Sequence, residues 1–243
     1  WSRLATLQGL QHRLNMTTEW LQLADAEAIA SRAAAIILQA AQAAIAAHGE
    51  FRIVLAGGST PTQVYRRLAS AEADWSRWQV YFGDERCLPS DDPERNSRMA
   101  TRTWLSHVDI PADNIHIIPA ELGAVTAAHE YAVIVTAAMP FDLVLLGMGE
   151  DGHTASLFPG DQHSANESVH AVNGAPKPPS ARVSLSRASL SNSRQVLVLV
   201  SGASKHRALQ RWRAGAPLPI ATITALQRLV VLYDNAAAGQ STD

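Results

Sequence analysis

One histidine, His153, follows a buried apolar run and three spaced glycines near the middle of the chain. Such glycines let the backbone bend sharply and let a ligand approach closely. A histidine at the carboxyl end of a strand stands where α/β proteins usually keep their chemistry. An imidazole can take a proton from water and return it to a leaving oxygen. The flanking Asp151 and Thr154 favour this catalytic interpretation over a structural one.

The same glycines, Gly147, Gly149 and Gly152, also spell the dinucleotide-binding pattern G-x-G-x-x-G. That pattern requires a long helix directly after it and an acidic residue at a strand end about 20 residues further on. Here His153 and then Pro159 follow, and no such acidic residue is found. We therefore expect no nicotinamide cofactor, and no cofactor of any other kind.

A second segment, Gly-Gly-Ser-Thr-Pro, predicts an anion site. Gly57 and Gly58 turn the chain after a strand, and Ser59 or Thr60 caps a helix that has Pro61 just inside it. Free N–H groups at a helix start, with two hydroxyls, suit a phosphate, although an ordinary capped connection has the same sequence. Ser59 as an acyl-enzyme nucleophile is disfavoured, because Pro61 stands where that motif needs glycine.

Two other strand ends carry charged side chains. Arg86 can hold a phosphate through two hydrogen bonds, and Asp84 can assist a proton transfer, unless this turn simply forms a surface salt bridge. Lys205 follows a glycine turn at the start of a helix and offers a second cation. The alternating segment over residues 182–187 predicts an edge strand that brings Arg187 near the site.

Composition excludes several classes of protein. The 243 residues are 47% hydrophobic and 17% charged, as in a globular protein. A net charge of −2 without a basic run argues against nucleic-acid binding. The one cysteine, Cys87, excludes an intrachain disulfide and favours a reducing, cytoplasmic location. The apolar runs are shorter than the ~20 residues of a membrane helix, and the histidines lack metal-binding spacing.

Six short apolar runs alternate with stretches of helical spacing, which predicts a layered α/β/α domain with a mainly parallel sheet. The predicted strands cover residues 52–56, 79–82, 114–118, 141–147, 195–200 and 229–233. The predicted helices cover residues 24–48, 92–104 (with Asp92 as N-cap), 125–138 and 204–213.

The segment Asn-Gly-Ala-Pro-Lys-Pro-Pro-Ser at residues 173–180 predicts a loop. It could join two domains, but strand–helix alternation resumes after it. We therefore favour a single domain over residues 16–243. Residues 1–15 are irregular and are predicted to be an N-terminal extension, with Met16 as the natural start.

Four segments, in this order, resemble the 6-phosphogluconolactonase family from about Asp25 to about Tyr233. The third is the most specific, because the related deaminases usually continue Asp-Gly-His with Ile-Ala-Phe-Asn-Glu-Pro. The segments are Gly-Gly-Ser-Thr-Pro at 57–61, Asp-Glu-Arg at 84–86 with Asn-Ser at 96–97, Gly-Glu-Asp-Gly-His-Thr-Ala-Ser-Leu-Phe-Pro at 149–159, and Gly-Ala-Ser-Lys at 202–205.

The resemblance implies a modified Rossmann-like fold shared with glucosamine-6-phosphate deaminases and ribose-5-phosphate isomerases. It implies hydrolysis of 6-phospho-D-glucono-1,5-lactone to 6-phospho-D-gluconate, in the oxidative branch of the pentose phosphate pathway, with His153 as the catalytic histidine. Asp84 and Asp151 match family positions and are further catalytic candidates. The substrate-binding candidates are Gly57, Gly58, Ser59, Thr60, Arg86, Asn96, Gly149, Arg187 and Lys205.

Two alternatives remain at this point. A phosphosugar isomerase or deaminase of the same fold would use a carboxylate such as Asp84 to move a proton between carbons. A sugar-phosphate-sensing domain would need a DNA-reading module, and the region before Phe51 shows no such pattern. The expected partner is a small phosphosugar lactone, with no metal, nucleic acid or membrane, and the chain could act as a monomer.

Overall fold

This computed structural model describes residues 18–161, 164 and 166–240. The predicted extension over residues 1–15 and the predicted start at Met16 lie outside these residues. Within them the chain forms strands in two sheets. The strands are β1 Glu19–Leu23, β2 Phe51–Leu55, β3 Trp78–Phe82, β4 Asp84–Arg86, β5 Phe141–Gly147, β6 Val169–Asn173, β7 Ala181–Leu185, β8 Ser193–Val200 and β9 Arg228–Asp234.

The main sheet has six strands in the order β1-β9-β8-β5-β2-β3. Every neighbouring pair in it is parallel. In the central strand β5 the first six residues are buried without alternation, as expected for a strand covered on both faces. The predicted layered architecture with a mainly parallel sheet is therefore confirmed.

Helices flank this sheet. They are α1 Ala26–His48, α2 Ser59–Leu68, α3 Asn96–Thr103, α4 Ala124–Ala138, α5 Arg187–Ser191, α6 His206–Arg213 and α7 Asn235–Ala238. Helix α1 begins where the Asp25 side chain accepts a hydrogen bond from the Ala28 N–H. It ends at Gly49, whose φ of 89° lies in the left-handed region that closes helices.

Helix α1 is, among the described residues, a helix long and apolar enough by length and composition to span a membrane, contrary to the expectation from the apolar runs. Half of that stretch is buried inside the protein. Ile29, Ala33 and Ile37 are completely enclosed in the core. A buried core helix meets the same length and composition criteria, and these contacts identify α1 as one.

The strand predicted over residues 114–118 is wrong. Only an isolated bridge between Val80 and Ile115 forms there, supported by a 2.8 Å hydrogen bond from the His116 N–H to the Val80 carbonyl. A 3-10 turn, Ala112–Asn114, precedes it. Pro119, just beyond the predicted strand, has no N–H to extend a ladder, so the segment lies along β3 without joining the sheet.

The helix predicted to have Asp92 as its N-cap begins three residues later, with Arg95 at the N-cap position. The Asp92 carboxylate accepts a 2.8 Å hydrogen bond from the Glu94 N–H and so forms a local turn. Helix α3 begins at Asn96 because the buried Glu85 carboxylate accepts the N–H groups of Asn96 at 2.7 Å and Ser97 at 2.8 Å. The capping group therefore comes from β4, which no local pattern reveals.

The second sheet is small and antiparallel, in the order β4-β7-β6. Strand β7 occupies its centre, so the predicted edge strand over residues 182–187 is wrong in position. The chain leaves the strand after Leu185, because Ser186 caps the short helix α5 by accepting a hydrogen bond from the Ser189 N–H. The predicted loop lies between β6 and β7, where it joins two paired strands.

Parallel pairing brings the carboxyl ends of β2, β5 and β8 to one edge of the main sheet, where ligands bind in open α/β folds. Each of these strands leads into a glycine-containing turn: Gly57-Gly58 after β2, Gly149 after β5 and Gly202 after β8. The antiparallel sheet adds β4 and β7 beside that edge. Most of the sequence candidates for chemistry therefore converge on one place.

Candidate active site

A cavity of about 390 Å³ opens at this edge of the sheet. Its volume lies within the usual range for a small-molecule site. Residues from all four predicted segments line it, together with side chains from the β6–β7 loop and from β7. The polar, charged and glycine residues of interest in its wall are Gly57, Gly58, Asp84, Arg86, Asn96, Gly149, His153, Lys177, Arg182 and Lys205.

The imidazole of His153 is oriented by a carboxylate. Its Nδ1 lies 2.6 Å from Asp151 Oδ1, and the same oxygen accepts a 3.1 Å hydrogen bond from the His153 N–H. Burial acts to raise the pKa of Asp151, but these hydrogen bonds and the proximity of His153 together lower it below its ordinary value. The carboxylate is therefore ionised at neutral pH, and Nε2 is the ring nitrogen left to act on a ligand.

The backbone of the turn is built around glycine. A Cβ on Gly149 would overlap Nδ1 of His153 and lie 2.7 Å from Asp151 Oδ1. The Gly149 N–H also donates a 2.8 Å hydrogen bond to the His153 carbonyl, which closes the turn. Only glycine lets the histidine ring fold back over this part of the loop.

The C-terminal part of the chain supports the turn from outside. Gly152 has a φ of 89°, and a Cβ there would press against Leu218 at 2.8 Å. The Ile220 N–H donates a 3.1 Å hydrogen bond to the Gly152 carbonyl. The Thr154 hydroxyl donates to the Gly147 carbonyl at 2.8 Å and ties the other end of the loop to β5. The loop that carries His153 is therefore fixed by the C-terminal segment at one end and by β5 at the other.

Asp84 is a buried carboxylate whose two oxygens both accept hydrogen bonds. Asn96 Nδ2 donates to Oδ1 at 3.1 Å, and the Ser156 hydroxyl donates to Oδ2 at 2.7 Å. Burial raises the pKa of Asp84, although the Ser156 hydrogen bond opposes that shift. The side chain links three parts of the site: β4, α3 and the loop that carries His153.

Asn96 is positioned by Glu85 and packs closely against the glycine turn after β2. A Cβ on Gly57 would overlap the amide of Asn96, so this glycine is required by close approach. Glu85 Oε1 also accepts a 2.8 Å hydrogen bond from the Arg86 N–H. One buried carboxylate therefore sets the backbone of both Arg86 and Asn96.

Two arginines lie side by side across the small sheet. Arg86 on β4 is directly paired with Arg182 on β7. Like charges directly opposite each other destabilise a sheet. A bound anion would relieve this repulsion, so the pair suits an anion site. The Arg86 Nε is buried without a hydrogen-bond partner among the described residues, while its Nη1 donates to the Glu94 carbonyl. Burial lowers the pKa of Arg182, the charge of Asp84 opposes that shift, and the charge of Arg86 adds to it.

Lys205 enters the cavity from the turn after β8. The buried Asp234 carboxylate fixes this turn, because it accepts the Ser201 hydroxyl at 2.6 Å and the Gly202 N–H at 3.0 Å. Burial lowers the pKa of Lys205. The ammonium group is thus partly removed from water and gains from an anionic ligand.

Ser59, Thr60 and Arg187 are placed differently from the sequence expectation. Gly58, not a hydroxyl side chain, precedes helix α2, and no side chain caps it. Gly57 and Gly58 line the cavity, whereas Ser59 and Thr60 are not among its lining residues. Arg187 is exposed at the start of α5 and lines a separate cavity of about 430 Å³, because the chain turns away at Ser186.

Sequence reasoning missed Arg182, Lys177 and Phe158 as cavity residues. The Arg182 guanidinium lies 5.7 Å above the Phe158 ring, and that ring lies 4.8 Å from the His153 ring. Lys177 lies in the predicted loop, beside the Pro178-Pro179 pair, and Arg182 lies at the start of the segment predicted as an edge strand. The sequence feature that could have indicated these two residues is positive charge near a proline-rich turn. That feature alone does not predict a cavity residue, because the pairing of β4 with β7 is what brings them to the site.

No group of three or more histidine, cysteine, aspartate or glutamate side chains that could hold a metal ion occurs in residues 18–161, 164 and 166–240. The charged wall of the cavity consists mainly of cations. Its chemistry therefore suits an anionic ligand, with one imidazole–carboxylate pair available for proton transfer.

Comparison with known proteins agrees with this geometry. The family described as glucosamine-6-phosphate isomerases/6-phosphogluconolactonase matches residues 24–231. The 6-phosphogluconolactonase of Mycobacterium leprae is 37% identical over 218 residues, which cover 82% of this chain and 88% of that protein.

Solved structures match as well. The 6-phosphogluconolactonase of Thermotoga maritima superposes with a TM-score of 0.84 at 29% identity, covering 90% of this chain and 100% of its own. A monomeric glucosamine-6-phosphate deaminase gives a TM-score of 0.80 at 21% identity, covering 92% and 100%, which shows the fold alone. The fold group expected from the sequence is confirmed, and the chain belongs to the glucosamine-6-phosphate isomerase/6-phosphogluconolactonase family.

Proposed function

We infer that this protein hydrolyses 6-phospho-D-glucono-1,5-lactone to 6-phospho-D-gluconate, the lactone-opening step of the pentose phosphate pathway. The observation that carries the inference is the His153–Asp151 pair in the same cavity as Arg86, Arg182 and Lys205. A proton-transfer group and a cluster of cations are what a phosphorylated lactone requires. The family relatives that share most of the chain bear this name.

His153 acts as general base and then as general acid. Its Nε2 takes a proton from water as the water oxygen bonds to the lactone carbonyl carbon. When the tetrahedral intermediate collapses, the bond from carbon to the ring oxygen breaks, and Nε2 returns the proton to that oxygen. Asp151 holds Nδ1 and stabilises the imidazolium that exists between the two steps.

The cations bind the phosphate and the developing negative charge. Arg86 and Arg182 form the pair across the small sheet, and Lys205 approaches from the turn after β8. Gly57 and Gly58 line the cavity at the start of α2, where glycine lets a phosphate oxygen approach the backbone closely. Binding energy from the phosphate fixes the ring for attack.

Asp84 has a supporting role in this scheme. Its carboxylate is buried and occupied by Asn96 and Ser156, which disfavours it as a base that moves a proton between sugar carbons. The deaminase reaction is therefore the weaker candidate. The single cysteine supports a cytoplasmic location, and action as a monomer stays a prediction.

The test follows lactone decay with purified protein, corrected for spontaneous hydrolysis, with and without a chelator. We expect His153→Ala to lose about 100- to 10,000-fold in kcat with an unchanged fold. A folded, active alanine variant would reject the role of His153. Ammonia release from glucosamine 6-phosphate, without lactone hydrolysis, would assign the deaminase reaction instead.

A further inference from the structure

Phe158 is the aromatic neighbour of the His153 ring. The centroids of the two rings lie 4.8 Å apart, with an angle of 48° between the ring planes. The Arg182 guanidinium lies 5.7 Å from the centroid of the same Phe158 ring. Phe158 lines the cavity but is only 6% exposed. Neither proton transfer nor hydrogen bonding to a ligand explains an apolar side chain at this position.

The backbone makes an uncommon turn that brings Phe158 back to His153. Ala155 has a φ of 47°, and it is the one non-glycine residue with a positive φ in the described part of the chain. This conformation is unfavourable for a residue with a Cβ and is typically kept where function needs it. The Leu157 N–H donates a 2.9 Å hydrogen bond to the Thr154 carbonyl, which closes the turn. The chain therefore reverses direction after His153 and returns the Phe158 ring to it.

The Phe158 ring is fixed by contacts outside this turn. It packs with Val172 of β6 and Ala175 of the β6–β7 loop in a small apolar cluster that is separate from the main core. The Phe158 N–H donates a 3.2 Å hydrogen bond to Asp161 Oδ2, and the Asp161 N–H donates to the Phe158 carbonyl at 3.2 Å. The ring therefore offers His153 a fixed surface.

The two contacts of the His153 ring constrain different motions. The hydrogen bond between Nδ1 and Asp151 Oδ1 fixes one edge of the imidazole, but a single hydrogen bond leaves the ring free to tilt about it. Contact with the Phe158 ring opposes that tilt. The ring centroids also lie within the roughly 6 Å over which an aromatic ring attracts a cation. The same contact therefore favours imidazolium over imidazole.

We propose that Phe158 is a positioning residue, which holds the His153 imidazole at the tilt needed for attack by water and stabilises the imidazolium formed during turnover. This inference rests on the proposed function. Arg182 is held independently of the ring, because its Nε and Nη2 donate hydrogen bonds to the Pro179 carbonyl at 3.1 Å and the Lys177 carbonyl at 2.9 Å. Loss of the ring should therefore act on turnover rather than on substrate affinity.

The kinetic test is Phe158→Leu, which keeps an apolar side chain but removes the ring. We expect kcat for lactone hydrolysis to fall about three- to tenfold, with KM within about twofold of wild type. Trp20→Leu is the matched control and retains wild-type kcat. The Trp20 ring also contacts an aromatic ring and an arginine, Trp212 at 4.8 Å and Arg213 at 5.8 Å, but it lies on β1 and does not line the cavity. An unchanged kcat in Phe158→Leu, or an equal loss in Trp20→Leu, would overturn the proposal.

Fluorinated phenylalanines at position 158 separate the electrostatic effect of the ring from its shape. Fluorine weakens the negative potential over the ring face and changes the size of the ring little. We expect kcat to decrease stepwise as fluorines are added, because the imidazolium loses stabilisation. A kcat that does not vary along the series would reject stabilisation of the imidazolium by Phe158.

A spectroscopic test needs no turnover. In protein labelled with ¹³C at histidine Cε1, His153→Gln identifies the signal of His153. We expect that signal to shift in Phe158→Leu, because the ring current of Phe158 is removed, and to stay fixed in Trp20→Leu. A His153 signal that does not respond to loss of the Phe158 ring would refute the contact. If the signal moves in a protein that does not hydrolyse the lactone, the proposed function fails but the placement of His153 by Phe158 stands.

Discussion

Replacing Asp151 by asparagine tests the link between the geometry of the site and its chemistry. Asp151 Oδ1 lies 2.6 Å from His153 Nδ1, so the aspartate fixes the tautomer in which Nε2 accepts a proton from water. Asparagine has nearly the same shape but no charge, and its amide can present N–H groups to Nδ1. The variant therefore removes a charge-assisted hydrogen bond and permits the wrong tautomer.

The expected size of the effect follows from exposure. A hydrogen bond to a charged group contributes about 1.5–3 kcal/mol. The Asp151 side chain is 44% exposed, so solvent screening places the value near the lower end, at about 1.5–2 kcal/mol. At 1.36 kcal/mol per factor of ten, kcat falls by about 10- to 30-fold. KM stays close to wild type, because the substrate phosphate is expected to bind to the cations of the cavity and not to Asp151.

The assay measures acid release from the lactone in a pH-stat at several substrate concentrations, with the spontaneous rate subtracted. Asp113→Asn, which removes an exposed carboxylate from a 3-10 turn, is the matched control and retains wild-type kinetics. A wild-type kcat in folded Asp151→Asn would refute the orienting role. A raised KM with an unchanged kcat would move Asp151 from catalysis to substrate binding.

Two further variants test other parts of the site. Gly149→Ala places a Cβ in overlap with Nδ1 of His153 and so displaces the ring. We expect activity to fall at least about tenfold, while circular dichroism shows a folded protein. Full activity would contradict the packing of the turn. Burial raises the pKa of Asp84 above its ordinary 3.8, so the folded state disfavours the ionised carboxylate. The contribution of Asp84 to the free energy of unfolding therefore falls as pH rises through the raised pKa. The free energy of unfolding of Asp84→Asn, measured in urea, should therefore increase relative to that of wild type as pH rises from about 4 to about 7. A difference between the two proteins that does not vary with pH would oppose this account.

The sequence was informative where the determinants of the structure lie close together along the chain. The catalytic turn is one such case, because Gly149, Asp151 and His153 lie within five residues and their hydrogen bonds are local. Five strands of the main sheet are another, since buried parallel strands are nearly continuous apolar runs, whereas the edge strand β1 is mostly half-buried and was not predicted. The glycine turns after β2, β5 and β8 were predicted for the same reason.

Tertiary structure decided which cations meet the histidine. Arg182 reaches the cavity because β7 pairs with β4, and that register places it beside Arg86, 96 positions away. The alternating pattern of β7 was visible, but alternation does not name the partner strand or the direction of the chain after it. For that reason the sequence favoured Arg187, which the cap at Ser186 turns away from the site.

The burial and the partners of the two carboxylates on β4 were also decided only by the tertiary structure. Asp84 and Glu85 are adjacent, and nothing local distinguishes the carboxylate that lines the cavity from the one that caps α3. Their roles follow from Ser156 and Asn96, which the fold brings to them from other elements. The sequence by itself determined the turn that carries His153 and the positions along the chain of five of the six main-sheet strands, because these depend on local backbone geometry and hydrophobicity. The wall of cations depended on long-range strand pairing, which no single segment encodes.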